Sequence, residues 1–382
     1  MKKLLVFLWA LLAASASVNA QSQTATLQQG ENMTPFYGAN AFVEAYNAAQ
    51  KGAIITLSSG NFNTVDTISK QVTIIGNGCV NNGTTYRTTI GYKTVGDNKI
   101  CLVINANKVT IEGVCFEHRV HLEPVSDTHF RKCYIDILYK SSSSGSYHKN
   151  LVVDQCYVDD IFCTKAENPC VKNSFVGRIA IPSSLGQRYF SNCLIYHYRD
   201  YYDVDGHSTG RYTTGGIFKN CILGQRCYSD QWTSGTYVAD PDYWQGYYLG
   251  IYHYSSSEYY NNVFFLYPYR YVKEPNGDWT EEVYDELKTM EMNNTLVESE
   301  TVKGNTTSTW AALFKDGEDV NWWEVLKDDI PFTGDDGTVV GPYGGTGFSI
   351  NPSIPRIVES KIDSNTDADG QLNVKIKVEV NP

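Results

Sequence analysis

Phe130-Arg131-Lys132-Cys133-Tyr134-Ile135 is followed by Val153-Asp154-Gln155-Cys156-Tyr157-Val158 and then by Val171-Lys172-Asn173-Ser174-Phe175-Val176. The three hexads share one kernel: apolar, any, Asn-like, small, any, apolar. Outward from them it recurs as Ile111-Glu112-Gly113-Val114-Cys115-Phe116, Phe190-Ser191-Asn192-Cys193-Leu194-Ile195 and Phe218-Lys219-Asn220-Cys221-Ile222-Leu223. Further copies read Tyr260-Asn261-Asn262-Val263-Phe264-Phe265 and Met292-Asn293-Asn294-Thr295-Leu296-Val297, and Ile75-Gly76-Asn77-Gly78-Cys79-Val80 fits as an earlier one. The small and final positions lie two residues apart and share one side of a strand, whereas the first position lies three before the small one and breaks strand parity. A bend at the Asn-like position restores parity, and Asn and Gly tolerate the left-handed backbone that such a bend requires. Short strand, bend, short strand is the cross-section of a β-helix coil.

Kernel starts at 111, 130, 153, 171 and 190 are separated by 19, 23, 18 and 19 residues, a plausible circuit, and the next gaps of 28, 42 and 32 imply long loops. A leucine-rich repeat has a similar period, but its L-x-x-L-x-L-x-x-N/C-x-L pattern is missing and Val, Ile, Tyr and Phe dominate. A β-propeller needs a period near 40 with motifs of its own. The expected fold is therefore all-β, a right-handed parallel β-helix (solenoid) over residues 21–300, followed by a C-terminal cap and β-hairpin over 301–382.

On these residues the chain resembles the pectin-lyase-like superfamily of right-handed β-helices. Ala41 to Ala49 reads as a short N-terminal capping helix, Ala53 to Phe62 is similar to that superfamily's first coil, and Val72 to Gly78 to its second. The resemblance covers roughly residues 35–300 and speaks to fold; the same scaffold carries lyases, hydrolases, esterases, binding proteins and adhesins.

Residues 1–20 have the layout of a secretory signal, with Lys2 and Lys3 ahead of the apolar run Leu4 to Leu12 and small residues ending at Ala20. That run is too short to span a bilayer, and no later segment approaches the roughly 18 uninterrupted apolar residues a spanning helix needs. The expected location is secreted, periplasmic or cell-surface associated, with no membrane insertion. The formal charge is -11, or -13 once Lys2 and Lys3 are removed, which disfavours nucleic acid as a partner. An acidic glycan would be repelled as well, unless a local basic cluster or a bridging Ca²⁺ intervened.

Past Thr301 the kernel stops, and Trp310, Phe314, Trp322, Trp323 and Leu326 suggest a partly helical segment over the open end, where an unpaired strand edge would invite aggregation. Leu372, Val374, Ile376, Val378 and Val380 alternate with polar residues, indicating a strand that pairs with 356–362. Asn365, Asp367, Asp369 and Gly370 match the opening of a Ca²⁺ loop, but position twelve is Ile376 instead of the bidentate Glu, so an acidic hairpin turn is the simpler reading and no cofactor is expected. Cys133, Cys156, Cys193 and Cys221 share the small kernel slot with Val114, Ser174, Val263 and Thr295, which reads as an internal ladder of free thiols. Cys163 and Cys170 bracket an apparent loop and are the disulfide candidates.

Repeating coils fill their interior with apolar side chains, so chemistry is sought in the loops. Tyr196 to Arg211 carries His197, Arg199, Asp200, Tyr201, Tyr202, Asp203, Asp205 and His207; Tyr228 to Tyr254 carries Trp232, Tyr243, Trp244 and Tyr247. Aromatic faces cover the C–H side of a sugar while carboxylates, imidazoles and guanidinium groups bond its hydroxyls, so these loops suit a polysaccharide or cell-surface glycan. His197, Arg199, Tyr201, Tyr202, Trp232, Tyr243, Trp244 and Tyr247 are the binding candidates, and Asp200, Asp203, Asp205 and His207 the weaker catalytic ones. Three readings stay open: a noncatalytic glycan binder, a polysaccharide hydrolase or lyase using loop carboxylates and histidines, and a structural or adhesion protein. His207-Ser208-Thr209-Gly210 is similar in outline to the Gly-His-Gly segment of polygalacturonase-like hydrolases, but their paired-Asp and Arg-x-Lys segments are missing, as is the Asp-Phe-Ile-Phe-Gly segment of pectin methylesterases. Glu117, His118, Arg119, His121 and Glu123 form the densest other polar cluster and read as a solvated loop, with Arg178 and Lys165 unplaced.

Overall fold

In the computed structural model, residues 23–81, 86–140, 146–163, 165–180, 183–197, 216–225, 230–233, 236–239, 257–266, 269–273, 279–283, 298–315, 326–351, 356–362 and 374–379 are described. Each kernel is split between two long sheets. Its first two positions build one sheet, through Thr110–Glu112, His129–Arg131, Val152–Asp154, Cys170–Lys172, Tyr189–Ser191, Ile217–Lys219, Glu258–Tyr260 and Val302–Lys303 in that order. Its last two enter the second, through Cys115–Leu122, Tyr134–Lys140, Tyr157–Cys163, Phe175–Ala180, Leu194–His197, Ile222–Gln225, Val263–Leu266 and Thr306–Ser308. Coil-to-coil pairing is parallel throughout both series. A short third sheet, His148–Lys149, Lys165–Glu167 and Ser183–Leu185, completes the cross-section of the middle coils. The molecule is a parallel β-helix, of the right-handed class that crossovers between parallel strands adopt.

The bend behaves as its residues require. Gly113, Lys132, Gln155, Asn173, Asn192, Asn220, Asn261 and Gly304 all have φ between 45° and 66°. A second left-handed column, Lys108, Asp127, Asn150, Asn168 and Gly186, forms the corner between the third sheet and the first. The slot after the first bend is more than small: its side chain accepts from the backbone N–H of the preceding slot, as in Cys156 N to Ser174 Oγ (3.1 Å) and Cys221 N to Asn262 Oδ1 (2.8 Å). It also donates to a nearby carbonyl, as Ser174 Oγ does to Lys172 O (2.7 Å) and Asn262 Nδ2 to Phe218 O (2.9 Å). Cys, Ser and Asn can each do both, whereas Val114 fills the slot by volume alone.

Two frames and one boundary read from sequence are corrected. The coil near 260 begins at Tyr259, paired with Phe218, which places Asn261 at the bend and Asn262 instead of Val263 in the slot. Ile74, not Ile75, pairs with Ile111. The rung paired with Tyr259 starts at Val302 and the helix runs through Ser308, past the expected boundary at 300, while the Met292 copy lies outside the described residues. The phenylalanines decide the frame: the rings of Phe190 and Phe218 stack at 4.6 Å and those of Phe218 and Tyr259 at 5.3 Å, each pair inclined by 10°.

The N-terminal cap comprises α1 (Ala41–Ala48), which buries Ala41, Phe42, Ala45 and Tyr46, and an antiparallel hairpin, Thr24–Gln29 with Asn32–Tyr37, that was not expected. Thr24–Gln29 joins the first coil antiparallel to Ala53–Leu57. Cys163 and Cys170 are free thiols. The segment between them is not a loop but carries the third-sheet strand Lys165–Glu167, with Cys163 ending a second-sheet strand and Cys170 opening a first-sheet one.

The C-terminal segment departs most from expectation. Trp310, at the start of α2 (Trp310–Leu313), and Phe314 lie on the outer face of the second sheet against Tyr196 and Phe265, at ring distances between 5.0 and 6.1 Å. From Phe332 to Ile350 the chain then runs back along the flank as a strap over the bend column. Asn220 Nδ2 donates to Asp335 Oδ1, Asn173 Nδ2 to Gly344 O (2.6 Å), and Gln155 Nε2 to Gly347 O (2.7 Å). A Cβ at Gly344 would lie 1.8 Å from Val339 O, so the strap needs glycine there. Beneath it runs an apolar outer stripe, Tyr157, Phe175, Leu194, Ile222 and Val263, at the fifth kernel position, where the repeat itself sets no residue type. The closing strands Arg356–Ile362 and Val374–Glu379 pair antiparallel as expected, while the turn at Asp367 to Gly370 falls outside the described residues. Among the described residues no helix is long and apolar enough to cross a membrane.

His148 gives the fold an acid limit. It is fully buried, its Nδ1 donates to Glu123 O at 3.1 Å, and burial holds its pKa below 6.5; His129 is shifted the same way, again chiefly by burial. The unfolded chain therefore binds protons that the folded chain refuses, so their contribution is complete above about pH 6.5 and is lost as pH falls below it. Melting temperature should drop between pH 7.5 and 5, and His148→Gln should flatten that slope.

Candidate functional site

Two neighbouring strands of the second sheet carry a kink just past the kernel. In Tyr134–Lys140 and Tyr157–Cys163 two successive residues, Asp136-Ile137 and Asp159-Asp160, turn outward between buried neighbours. Ile135 pairs with Val158 and Ile137 with Asp160, which sets Asp136 beside Asp159 on adjacent coils about 4.8 Å apart. Asp160 in turn pairs with Arg178, and Arg119 with Ile137. Carboxylates from residues 23 positions apart thus converge because the coil repeats, not because the chain is local.

The partners divide these carboxylates into different roles. Arg178 grips Asp160 through Nε and Nη2 in a bidentate pair. Tyr134 Oη donates to Asp159 Oδ2 at 2.7 Å. The half-buried carboxyl of Asp136 is pushed up to about 6, first by burial and then by Asp159 and Asp160, against the opposing pull of Arg119 and Arg178. A proton on Asp136 therefore survives into a pH range where an ordinary carboxyl has lost it. Beside the carboxylates the rings of His121, Tyr139 and Phe162 form a column, at 4.9 Å and then 5.4 Å, with Arg119 5.5 Å from the Tyr139 ring centre. Burial and Arg119 hold His121 below its ordinary pKa.

On the other side stands the strap, whose Phe348 ring meets Tyr157 at 4.8 Å and Phe175 at 5.0 Å. The row of Asp136 and Asp159 continues to Gly177, where a Cβ would lie 2.4 Å from Asp159 O, and then to Tyr196 beneath Trp310. Toward the N-terminal coils the row reaches Glu117, paired with Arg87 at 2.6 Å, and His118, whose ring meets Tyr92 edge-on at 4.4 Å. Among the described residues no three His, Cys, Asp or Glu side chains are grouped to hold a metal.

Of the residues singled out in the loops, His197 ends the strand Leu194–His197 with its Cα paired to Arg178, and Trp232 lies on an antiparallel hairpin opposite Tyr237. Arg199, Asp200, Tyr201, Tyr202, Asp203, Asp205, His207, Tyr243, Trp244 and Tyr247 lie outside the described residues. The cluster Glu117, His118, Arg119 and His121 is no solvated loop: it lies on the strand Cys115–Leu122, next to Asp136. Lys165 sits on the third sheet, away from this face. Asp136, Asp159, Asp160 and Tyr139 were missed, although Asp136 and Asp159 each directly follow a final kernel residue.

The molecule is thus a parallel β-helix carrying a carboxylate and arginine face beside a column of rings. A scan against protein-family models and a search of curated proteins each found no match. Among solved structures it is similar to a pectin methylesterase from Yersinia enterocolitica, with 12% identity and a TM-score of 0.29, over 70% of this chain and 88% of that one. At that score the likeness carries no argument about chemistry.

Proposed function

We propose that this chain is an exported hydrolase of polysaccharides, with the glycan lying across the outer face of the second sheet. The reading rests on one observation: Asp136, a carboxyl raised to about 6, stands beside Asp159 next to the ring column of Tyr139 and Phe162. Glycoside hydrolysis needs a protonated carboxyl to donate to the leaving oxygen and an ionised one to act as base or nucleophile. Asp136 takes the first role and Asp159 the second. The stacked column of Tyr139 and Phe162 offers apolar ring edges to sugar C–H groups, and Arg119 offers donors to hydroxyls. Tyr201, Tyr202, Trp232, Tyr243, Trp244 and Tyr247 join this reading as further glycan contacts on composition alone.

The test is release of reducing ends from a panel of neutral and acidic polysaccharides by the mature chain. Turnover should fall on the alkaline side of about pH 6, as Asp136 loses its proton. Retention on affinity gels with no new reducing ends would leave a glycan binder and remove the acid–base roles. Release of a small acid alone would move the reaction to an ester substituent. Neither binding nor release would reduce the face to structure.

A further inference from the structure

We propose that Tyr134 is the positioning residue of this site, holding Asp159 toward Asp136, and that the C-terminal strap acts on the carboxylates through it. The proposal deepens the reading of the preceding subsection, and its geometry stands on the fold alone. Tyr134 and Tyr157 are paired neighbours on the fifth-position stripe, and both belong to the apolar cluster that the strap closes with Tyr343, Phe348 and Ile350. At the other end of the Tyr134 ring, Oη donates to Asp159 Oδ2. A phenol suits this role because burial, and then the bond to Asp159, push its pKa up, so it stays a donor at every pH where the carboxylates titrate. The donated bond fixes one Asp159 oxygen and with it the direction of that charge. Asp136 meets that charge together with Asp160 on the same following strand, Arg119 on the preceding strand and Arg178 one coil further on. With the Tyr134 hydroxyl removed, Asp159 either turns toward water or takes up the proton itself, and both outcomes let Asp136 ionise more easily.

The experiment is a carboxyl ¹³C NMR titration of the mature full-length chain, with the Asp136 signal assigned by its loss in Asp136→Asn. The wild-type midpoint should lie near 6. Tyr134→Phe, which keeps the ring in the stripe, should lower it by about one unit, as Asp159→Asn does, and Phe348→Ala should lower it by less. An unchanged urea midpoint in Tyr134→Phe separates positioning from mere packing. A midpoint in Tyr134→Phe equal to the wild type would overturn the positioning role, and one unmoved in Phe348→Ala would overturn the link to the strap. Because the titration needs no substrate, a chain without hydrolytic activity would sink the proposed function and leave this inference to be judged by NMR.

Discussion

Asp136→Asn should lose about 10²- to 10⁴-fold in turnover, the usual contribution of one general acid, while becoming no less stable at neutral pH. The two signs come from one cause. An acid whose folded pKa is raised from 3.8 to about 6 binds its proton more tightly in the folded chain than in the unfolded one. Its folded-state penalty is nil below about pH 4, grows as pH rises through the window between those values, and is complete above it. Asn keeps the shape and removes the charge, so its melting temperature should exceed the wild type's at pH 7 and converge with it near pH 4. Parallel losses of activity and stability at pH 7 would contradict the reading, since they would mark Asp136 as a structural partner.

Phe218→Ala should remove about 3–5 kcal/mol of stability, read as a lowered urea midpoint. Phe218 is fully buried and sandwiched between Phe190 and Tyr259, so the truncation opens a void that stacked strands cannot close without shifting two coils. Ring-on-ring contact adds about 0.5–1.5 kcal/mol per pair beyond area, so Phe218→Leu should fall well short of the Ala loss without restoring wild-type stability. A loss below about 1 kcal/mol would mean that the coils slide together to fill the gap.

Most of the coil was legible because its bend is a chemical demand: a left-handed backbone selects Asn or Gly, and Asn173, Asn192 and Asn220 announce it. Doublets blurred the rest. Ile74-Ile75, Tyr259-Tyr260 and Asn261-Asn262 each fit the kernel in two frames, and only stacking on Phe218 or pairing with Ile111 selects one. The strap was not legible, since Gly341, Gly344 and Gly347 say that a backbone passes close without saying to what. Its track was available, however, because Tyr134, Tyr157, Phe175, Leu194 and Ile222 are all too apolar for a position facing water. The carboxylates were hidden for a different reason: polar residues on the outside of a strand ordinarily meet only solvent, so Asp200 and Asp203 in the long loop stood out in their place. What distinguishes Asp136 and Asp159 is that their coils place them side by side.

A solenoid touches itself only rung to rung, which makes it a one-dimensional chain that can fray from an end one rung at a time. The strap breaks that rule. Bonds from Asn220, Asn173 and Gln155 to residues 115 to 192 positions away tie several rungs to a single thread. Those rungs open together or not at all, so the middle of the molecule should melt as one cooperative block. The thread also follows the rungs it ties in sequence, so this block locks only after residues 332–350 have been made and laid back across it.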